Sequence, residues 1–341
     1  MLSFVMGLPG GFAESCEIAT MWLVRHAFGS AERISANTLE EITESLLCSG
    51  AAHGVMASAH PGGRVKRALV EARRPFIIAR DDPYTSLKYL VSRRGLALTT
   101  ATQRVASSCA SVVSFSETPG ALVLRADRDS GDRLSTAAAI ARHLGLDIDN
   151  DEIAEIVGGL DGGNDLLDPS EVVAWWEGLD PAEQAIASGA LGPYLDHFAN
   201  PGPGPITWAP ELFFVGDRPD EQATNGVDIT GRARCLLHGP HIMLPPANWS
   251  LDVTLDMSPE TTEHSFLIEA TAGTVVSQIV IRPAVAGVVK AALTLALEDL
   301  ADRPVDLFLS NERPAFGGHV TLLGVTLTPR PPIDAPGDTE G

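Results

Sequence analysis

Three residue patterns near the start of the chain could do chemistry. Residues 2–11 (LSFVMGLPGG) form a short apolar run into a glycine-rich turn, and a helical run, residues 14–26, follows. A strand that turns through glycines into a helix leaves backbone N–H groups and the positive end of the helix dipole facing one point. That point favours an anion such as phosphate. The turn holds no Lys or Arg, and the acid Glu14 follows it. Residues 74–83 (RPFIIARDDP) are a buried-type strand ending in Arg80, with a helix at residues 84–94 behind it. An Arg at the carboxyl end of a parallel strand stands where α/β sheets bind ligands. Its planar fork suits phosphate or sulfate oxygens, or it caps carbonyls or pairs with Asp81 or Asp82. Between the two, residues 55–61 (VMASAHP) end a short strand in His60. A histidine there is either a general base for a hydroxyl or a surface residue opening the turn HPGG.

The elements around these residues alternate. Thr38 and Glu41 form a capping box, and Leu39, Ile42 and Leu46 then share one helical face, with Gly50 as the stop. Strands are expected at 55–57, 75–79 and 121–124. Helices are expected at 84–94 (ended by Gly95), 100–113 and 132–144, and one more opens at Asp180 with Pro181 in its first turn. Such alternation implies a three-layer α/β domain with a parallel sheet covered on both faces. The stretch 200–205 (NPGPGP) breaks the pattern. Beyond it, Trp249, Leu251, Val253, Leu255 and Met257 alternate with polar residues, and similar runs follow at 265–270, 275–282, 291–297, 305–310 and 319–327. About eight strands at this spacing indicate an antiparallel β-sandwich. The expected organisation is an α/β domain at 1–199, a linker at 200–206, a sandwich at 207–330 and a disordered tail at 331–341. No internal repeat is present.

Composition narrows the function. The chain has 341 residues and a net charge of −20. Residues 1–150 hold 16 Lys/Arg and 15 Asp/Glu, residues 151–200 hold 11 acids and no base, and residues 201–341 hold 18 acids and 8 bases. An acidic surface repels nucleic acid and anionic membranes. Residues 64–94 are the exception, with nine bases and three acids, either a solvated helix face or a local anion site. Four cysteines without a CxxC pair fit a reducing compartment and argue against a disulfide framework or a cysteine-rich zinc site. Nine histidines include no HExxH, so no metal is expected. No run is long enough to span a membrane. The N-terminus reads as a first strand rather than a signal peptide, and the expected location is cytoplasmic.

Taken in order, LSFVMGLPGG, VMASAHP and PFIIARDDPYTSLKYL resemble the sulfotransferase family, which is built on a P-loop-like α/β fold. ALVLRADRD, IARHLGLDID and NDEIAEIV extend the resemblance over about residues 1–195. It implies 3′-phosphoadenosine 5′-phosphosulfate (PAPS) as donor and a hydroxyl of a carbohydrate or other cell-surface precursor as acceptor. By position, Gly7, Pro9, Gly10, Gly11 and Ser15 fall in the loop that grips the 5′-phosphosulfate. His60 falls on the base and Arg80 on the 3′-phosphate ligand. The family's 3′-phosphate Ser falls on Tyr89, with Ser86 and Lys88 as nearby substitutes. The sequence departs from the family where Gly10 follows Pro9 instead of a Lys or Arg, where Ser58 stands in place of a Lys, and where an extra Asp lies before Pro83.

Residues 231–253 resemble the opening of sandwich modules attached to carbohydrate-acting enzymes. Sugar binding needs exposed aromatic platforms. Trp249 has core parity, and Trp208 is the better exposed candidate, although it lies beside the linker. His238 and His241 flank a Gly-Pro turn, a weak metal pair. Two other patterns are decoys. WLVRHA at 22–27 is similar to the Arg-His-Gly opening of histidine phosphatases but sits in helix. DGGNDLLDPSE at 161–171 lacks the Gly and Glu of a calcium loop. The rival to a sulfotransferase-like enzyme is a non-catalytic protein of the same fold that binds carbohydrate or serves assembly. A kinase-like reading would need GxxxxGK[ST], and no Lys follows these glycines.

Overall fold

A computed structural model describes residues 2–49, 52–160, 166–200, 202, 204–297 and 303–330. The chain divides into two compact units, Met1–Gln184 and Ala185–Gly341. The elements of the first are β1 (Leu2–Gly7), α1 (Gly11–Phe28), β2 (Glu32–Ser35), α2 (Leu39–Ser49), β3 (Gly54–Ser58), α3 (Gly63–Glu71), β4 (Phe76–Arg80), α4 (Pro83–Arg94), α5 (Leu98–Ser116), β5 (Ala121–Arg125), α6 (Ala126–Asp129), α7 (Arg133–Leu144), α8 (Asn150–Gly158) and α9 (Pro169–Glu177). The helix α10 (Pro181–Ala199) runs across the division.

The five strands form one parallel sheet in the order β2-β3-β1-β4-β5. Successive β1 residues face opposite layers. Val5 packs with Phe12, Cys16, Leu23 and Val24 of α1 and with Ile140 and Leu144 of α7. Phe4 meets Phe76 edge-on at 6.2 Å, and Phe76 meets Phe115 of α5 at 5.9 Å. Each such aromatic pair adds about 0.5–1.5 kcal/mol beyond its buried area. Burial on both faces is why the inner strands β1, β3 and β4 read as unbroken apolar runs.

The helix ends follow local chemistry. Thr38 and Glu41 make both bonds of the expected capping box. Asp82 caps α4 by accepting from the Tyr84 and Thr85 N–H groups, with Pro83 in the first turn, and Gly95 closes that helix in the left-handed region at φ 67°. Gly50 and residues 161–165 of the calcium-like pattern lie outside the described residues, while Asp168 caps α9. The phosphatase-like run at 22–27 is interior to α1.

The second unit contains β6 (Ile206–Trp208), β7 (Phe214–Val215), β8 (Arg218–Gln222), β9 (Val227–Asp228), β10 (Arg234–Ile242), β11 (Ala247–Met257), β12 (Phe266–Thr271), β13 (Val275–Ile281), β14 (Gly287–Leu297), β15 (Val305–Asn311) and β16 (His319–Arg330). They form two antiparallel sheets, β13-β12-β15-β10-β7-β8 and β14-β11-β16-β6, with β9 pairing β16. The strands expected from Trp249 onward are present and the short β6–β9 precede them, but Gly239-Pro240 is no turn: β10 runs through it, paired with Leu307 and Asp306. Trp249 is buried as expected, and its Nε1 donates to the Pro245 carbonyl at 3.1 Å. Trp208 corrects the sequence reading. It is 0% exposed, because β6 pairs with β16 in register Val325↔Trp208 and shares its inward parity. Pro201, Pro203 and residues 331–341 lie outside the described residues.

Candidate functional site

The sheet order fixes where a ligand fits. β1 is central, with β3 on one side (Met6↔Ser58) and β4 on the other (Gly7↔Ala79). The chain crosses from β3 over β1 to reach β4, so the sheet reverses its winding at β1. In open α/β sheets ligands lie outside the carboxyl ends of the strands at such a point. Here those ends carry the 8–10 turn, His60, Arg80 with Asp81, and Arg125.

The turn presents an open helix end. Gly10 is the N-cap of α1 in extended conformation, and no side chain caps the first turn. The first bond back to it is Glu14 N–H to the Gly10 carbonyl at 3.1 Å. The N–H groups of Gly11, Phe12 and Ala13 therefore stand at the positive end of an 18-residue helix. Gly7 does a different job. A Cβ there would lie 2.3 Å from the Ala79 carbonyl oxygen, so its glycine lets β1 close on β4.

Two side chains lie against Gly10. A Cβ added there would be 3.4 Å from Asp81 Oδ2 and 3.9 Å from Ser86 Oγ. Ser86 is 0% exposed, and its hydroxyl has no hydrogen-bond partner among the described residues. A buried hydroxyl without a partner costs about 1–3 kcal/mol, so a ligand oxygen at this position would relieve it. Asp81 Oδ1 accepts from the Asp82 N–H at 2.7 Å. Burial pushes the Asp81 pKa up to about 6, and the Asp82 and Asp127 carboxylates add to the rise. Above that pH a carboxylate stands beside the amide cradle.

The basic cluster at 64–94 mostly pairs elsewhere. Arg64 pairs with Glu40, Lys66 Nζ donates to Ser114 Oγ at 3.0 Å, and Lys88 Nζ lies 3.5 Å from Glu171 Oε2. Glu14 turns away from the cradle to pair with Arg94, which also donates to the Tyr89 hydroxyl at 3.0 Å. Arg80 lies in register with Arg125 of the next strand, and the Asp127 carboxylate acts on it as well. Burial, then the Arg125 guanidinium, lowers its pKa, and Arg128 acts in the same direction. Arg125 grips Asp127 through two bonds of 3.0 and 2.6 Å, and Arg128 grips Asp129. An anion arriving at Arg80 would offset this like-charge repulsion.

A cavity of about 360 Å³ opens beside α1. Phe12, Ile18, Ala19, Trp22, Val157 and Leu160 make its apolar wall, and Ser15, Asp129, Ser130 and Arg133 supply polar edges. Cys16 also lines it. Burial, then Asp129 and Asp81, pushes that thiol's pKa up to about 12, so it is a neutral wall rather than a nucleophile.

Of the residues singled out in sequence, Gly10, Gly11 and Ser86 converge at the cradle. Pro9 is half-buried in the turn before it. Ser15 lies one turn further along α1 and lines the cavity, and Lys88 points to α9. His60 is half-buried just past β3, where Asn37 Oδ1 accepts from the His60 N–H at 3.3 Å and from Ser58 Oγ at 2.7 Å. Sequence reasoning missed Asp81 as a cradle residue and Arg125 as a partner of Arg80. Arg125 ends its strand just as Arg80 does, and that shared position was the available signal. Among the described residues no group of three or more His, Cys, Asp or Glu could hold a metal, and His241 pairs with Asp306 at 2.9 Å. No helix among them is long and apolar enough to cross a membrane.

No protein-family model and no curated protein matches the chain. Among solved structures, a mouse sulfotransferase complexed with PAP aligns over 54% of this chain and 80% of its own, at 11% identity and TM-score 0.35. A cyclase from Fischerella sp. TAU aligns over 29% of this chain at 15% identity and TM-score 0.23, and the match spans 59% of the cyclase. The C-terminal CBM6 of a marine laminarinase from Zobellia galactanivorans aligns over 30% of this chain and 75% of its own, at 14% identity and TM-score 0.21. These scores are too low to bear on the chemistry of the site.

Proposed function

We propose that the first unit is a sulfotransferase-like domain that holds PAPS at the carboxyl edge of its parallel sheet and passes the sulfuryl group to a hydroxyl. The observation that carries this reading is the uncapped start of α1 at the central strand, with the partnerless Ser86 hydroxyl beside it. In this reading the Gly10–Gly11 backbone and Ser86 take the 5′-phosphosulfate. Arg80, flanked by Arg125, takes the 3′-phosphate. The apolar cavity along α1 is of a size and polarity to receive the base. His60 accepts the proton of the attacking hydroxyl, and the oxygen that bridged the sulfuryl group to the phosphate leaves with the negative charge.

Calorimetry with 3′-phosphoadenosine 5′-phosphate is the test. Binding that weakens at least about tenfold in Ser86→Ala, the loss expected for a hydrogen bond to a charged oxygen, supports the site. No binding at millimolar nucleotide overturns it.

The second reading is a non-catalytic protein that retains the fold, with a carbohydrate-binding β-sandwich as its second unit. Asp81 favours it, because this carboxylate lies beside the cradle of a turn that itself carries no cation. Binding of a glycan by a chain that stays inert towards the nucleotide separates the two.

A further inference from the structure

The six-stranded sheet of the second unit carries one row of side chains that the nucleotide reading leaves unused. Register places Phe214 beside His238, His238 beside Phe308, Phe308 beside Glu269 and Glu269 beside Gln278. These residues alternate with the buried Leu237, Leu307, Leu309, Ile268 and Ala270, so the row lies on the sheet's outward face. With strands about 4.8 Å apart, five positions span about 19 Å. The rings of Phe214 and His238 have centroids 5.9 Å apart and planes 31° apart, and His238 and Phe308 are at 6.1 Å and 23°. All three are half-buried, as is Glu269, and Gln278 is exposed. Among the described residues neither the Glu269 carboxylate nor the Gln278 amide group is held by a side-chain hydrogen bond or ion pair. One row toward the sheet's edge, Asp306 pairs with Thr271 and accepts from or shares a proton with His241 at 2.9 Å.

We infer that this face binds a neutral saccharide, with the Phe214–His238–Phe308 strip under the C–H face of the sugar rings. The chemistry of the row selects that occupant. A pyranose presents an apolar face ringed by hydroxyls, and it needs flat rings and hydrogen-bonding groups side by side. Here the rings continue directly into a carboxylate and an amide. An apolar helix would leave Glu269, Gln278 and Asp306 facing hydrocarbon. The charges also discriminate. The face carries the carboxylates of Glu269 and Asp306, and none of the in-register positions Phe214, His238, Phe308, Ser310, Leu267, Thr271, Gln278 and Val280 is Lys or Arg. A sulfated or uronic-acid glycan would meet repulsion there, whereas neutral hydroxyls donate to carboxylates. The inference rests on the carbohydrate-binding reading of the second unit and not on the nucleotide site, and its test contains no nucleotide.

The experiment is calorimetry of the full chain with cellohexaose, xylohexaose, laminarihexaose and mannohexaose, and with a heparin-derived hexasaccharide as the anionic probe. At least one neutral hexasaccharide is expected to bind at millimolar concentration or below, more tightly than the heparin fragment. Phe308→Ala should weaken it about tenfold, the scale of one aromatic contact. Phe214→Ala and Glu269→Gln should weaken it as well, and they carry the test if circular dichroism finds Phe308→Ala unfolded. The inference is overturned by silence with all four neutral probes, by preference for the heparin fragment, or by binding that none of the folded variants weakens.

Discussion

Replacing Asp81 with Asn should stabilise the protein, and by an amount that depends on pH. The carboxyl rises from 3.8 to about 6 because it is buried beside Asp82 and Asp127. A rise of about two units corresponds to about 3 kcal/mol between the two protonation states. Unfolded, Asp81 loses its proton near its ordinary value; folded, it keeps the proton until about pH 6. Below about pH 4 both states are protonated and the group costs nothing. Between about pH 4 and 6 the unfolded chain binds fewer protons than the folded one, so stability falls as pH rises, and above 6 the full penalty stands. Asn mimics the protonated acid and keeps an Oδ1 to accept from the Asp82 N–H. Asp81→Asn should therefore match the parent at about pH 3.5 and exceed it by up to about 3 kcal/mol at about pH 7.5. For a unit of this size that is a rise in melting temperature of about 6–12 °C. Asp127 and Asp129, which titrate low, are common to both proteins and drop out of the difference. Urea unfolding and calorimetry across that pH range are the assay. An advantage of equal size at both ends, or none at neutral pH, would refute the assignment of a half-buried carboxyl of raised pKa beside Gly10.

Gly7→Ala places a Cβ 2.3 Å from a backbone oxygen and should lower stability by about 1–3 kcal/mol or more, whereas Gly10→Ala meets only a 3.4 Å contact and should cost under about 1 kcal/mol; urea midpoints compare them. Glu14→Ala removes an exposed ion pair with Arg94, so its cost should stay within about 1 kcal/mol, and a larger loss in the same urea series would contradict the surface assignment. His241 titrates above its ordinary value because Asp306 bonds to it. That stabilisation is complete below the unfolded histidine pKa and is lost as pH rises through the folded one. Asp306→Asn should return the imidazole toward its ordinary value, read by NMR titration of the ring. If His60 is the base, His60→Ala should abolish sulfuryl transfer while leaving nucleotide affinity unchanged; loss of both would remove it from that role.

What the sequence showed and what it hid have physical causes. β4 was legible because a strand buried on both faces is apolar throughout, and β5 because its residues 121–124 are all apolar although only Leu124 is buried. The ends of α4 were legible because a cap, a first-turn Pro and a left-handed Gly leave local marks. β2 escaped because only Ile34 of its four residues is buried, so an edge strand of mostly polar residues shows no pattern. The strands β6–β9 are two to five residues long, shorter than any reliable alternation. Trp208 was misjudged because its environment is set by β16, far away in sequence. The glycine turn was legible as an anion cradle, but its charge balance was not. The extra Asp before Pro83 was visible in sequence. That Asp82 would turn forward to cap α4 while Asp81 lay back against Gly10 depends on where β4 ends relative to α1, which is tertiary information.

That placement changes what the missing loop cation means. A Lys or Arg in such a turn would add positive charge to the helix end, and this chain instead adds a carboxyl whose own ionisation is resisted. Glu14, the acid nearest in sequence, is held away by Arg94 and is not the obstacle. The carboxyl at Asp81 and an incoming anion compete for the same positive helix end, so the two are linked through one proton. An anion at the amides raises the Asp81 pKa further, and anion binding near neutral pH must then take up a proton. A cradle built on a cation would bind without that uptake. The site's competence thus turns on the protonation of Asp81 and on how far the guanidinium group of Arg80, backed by Arg125, offsets it.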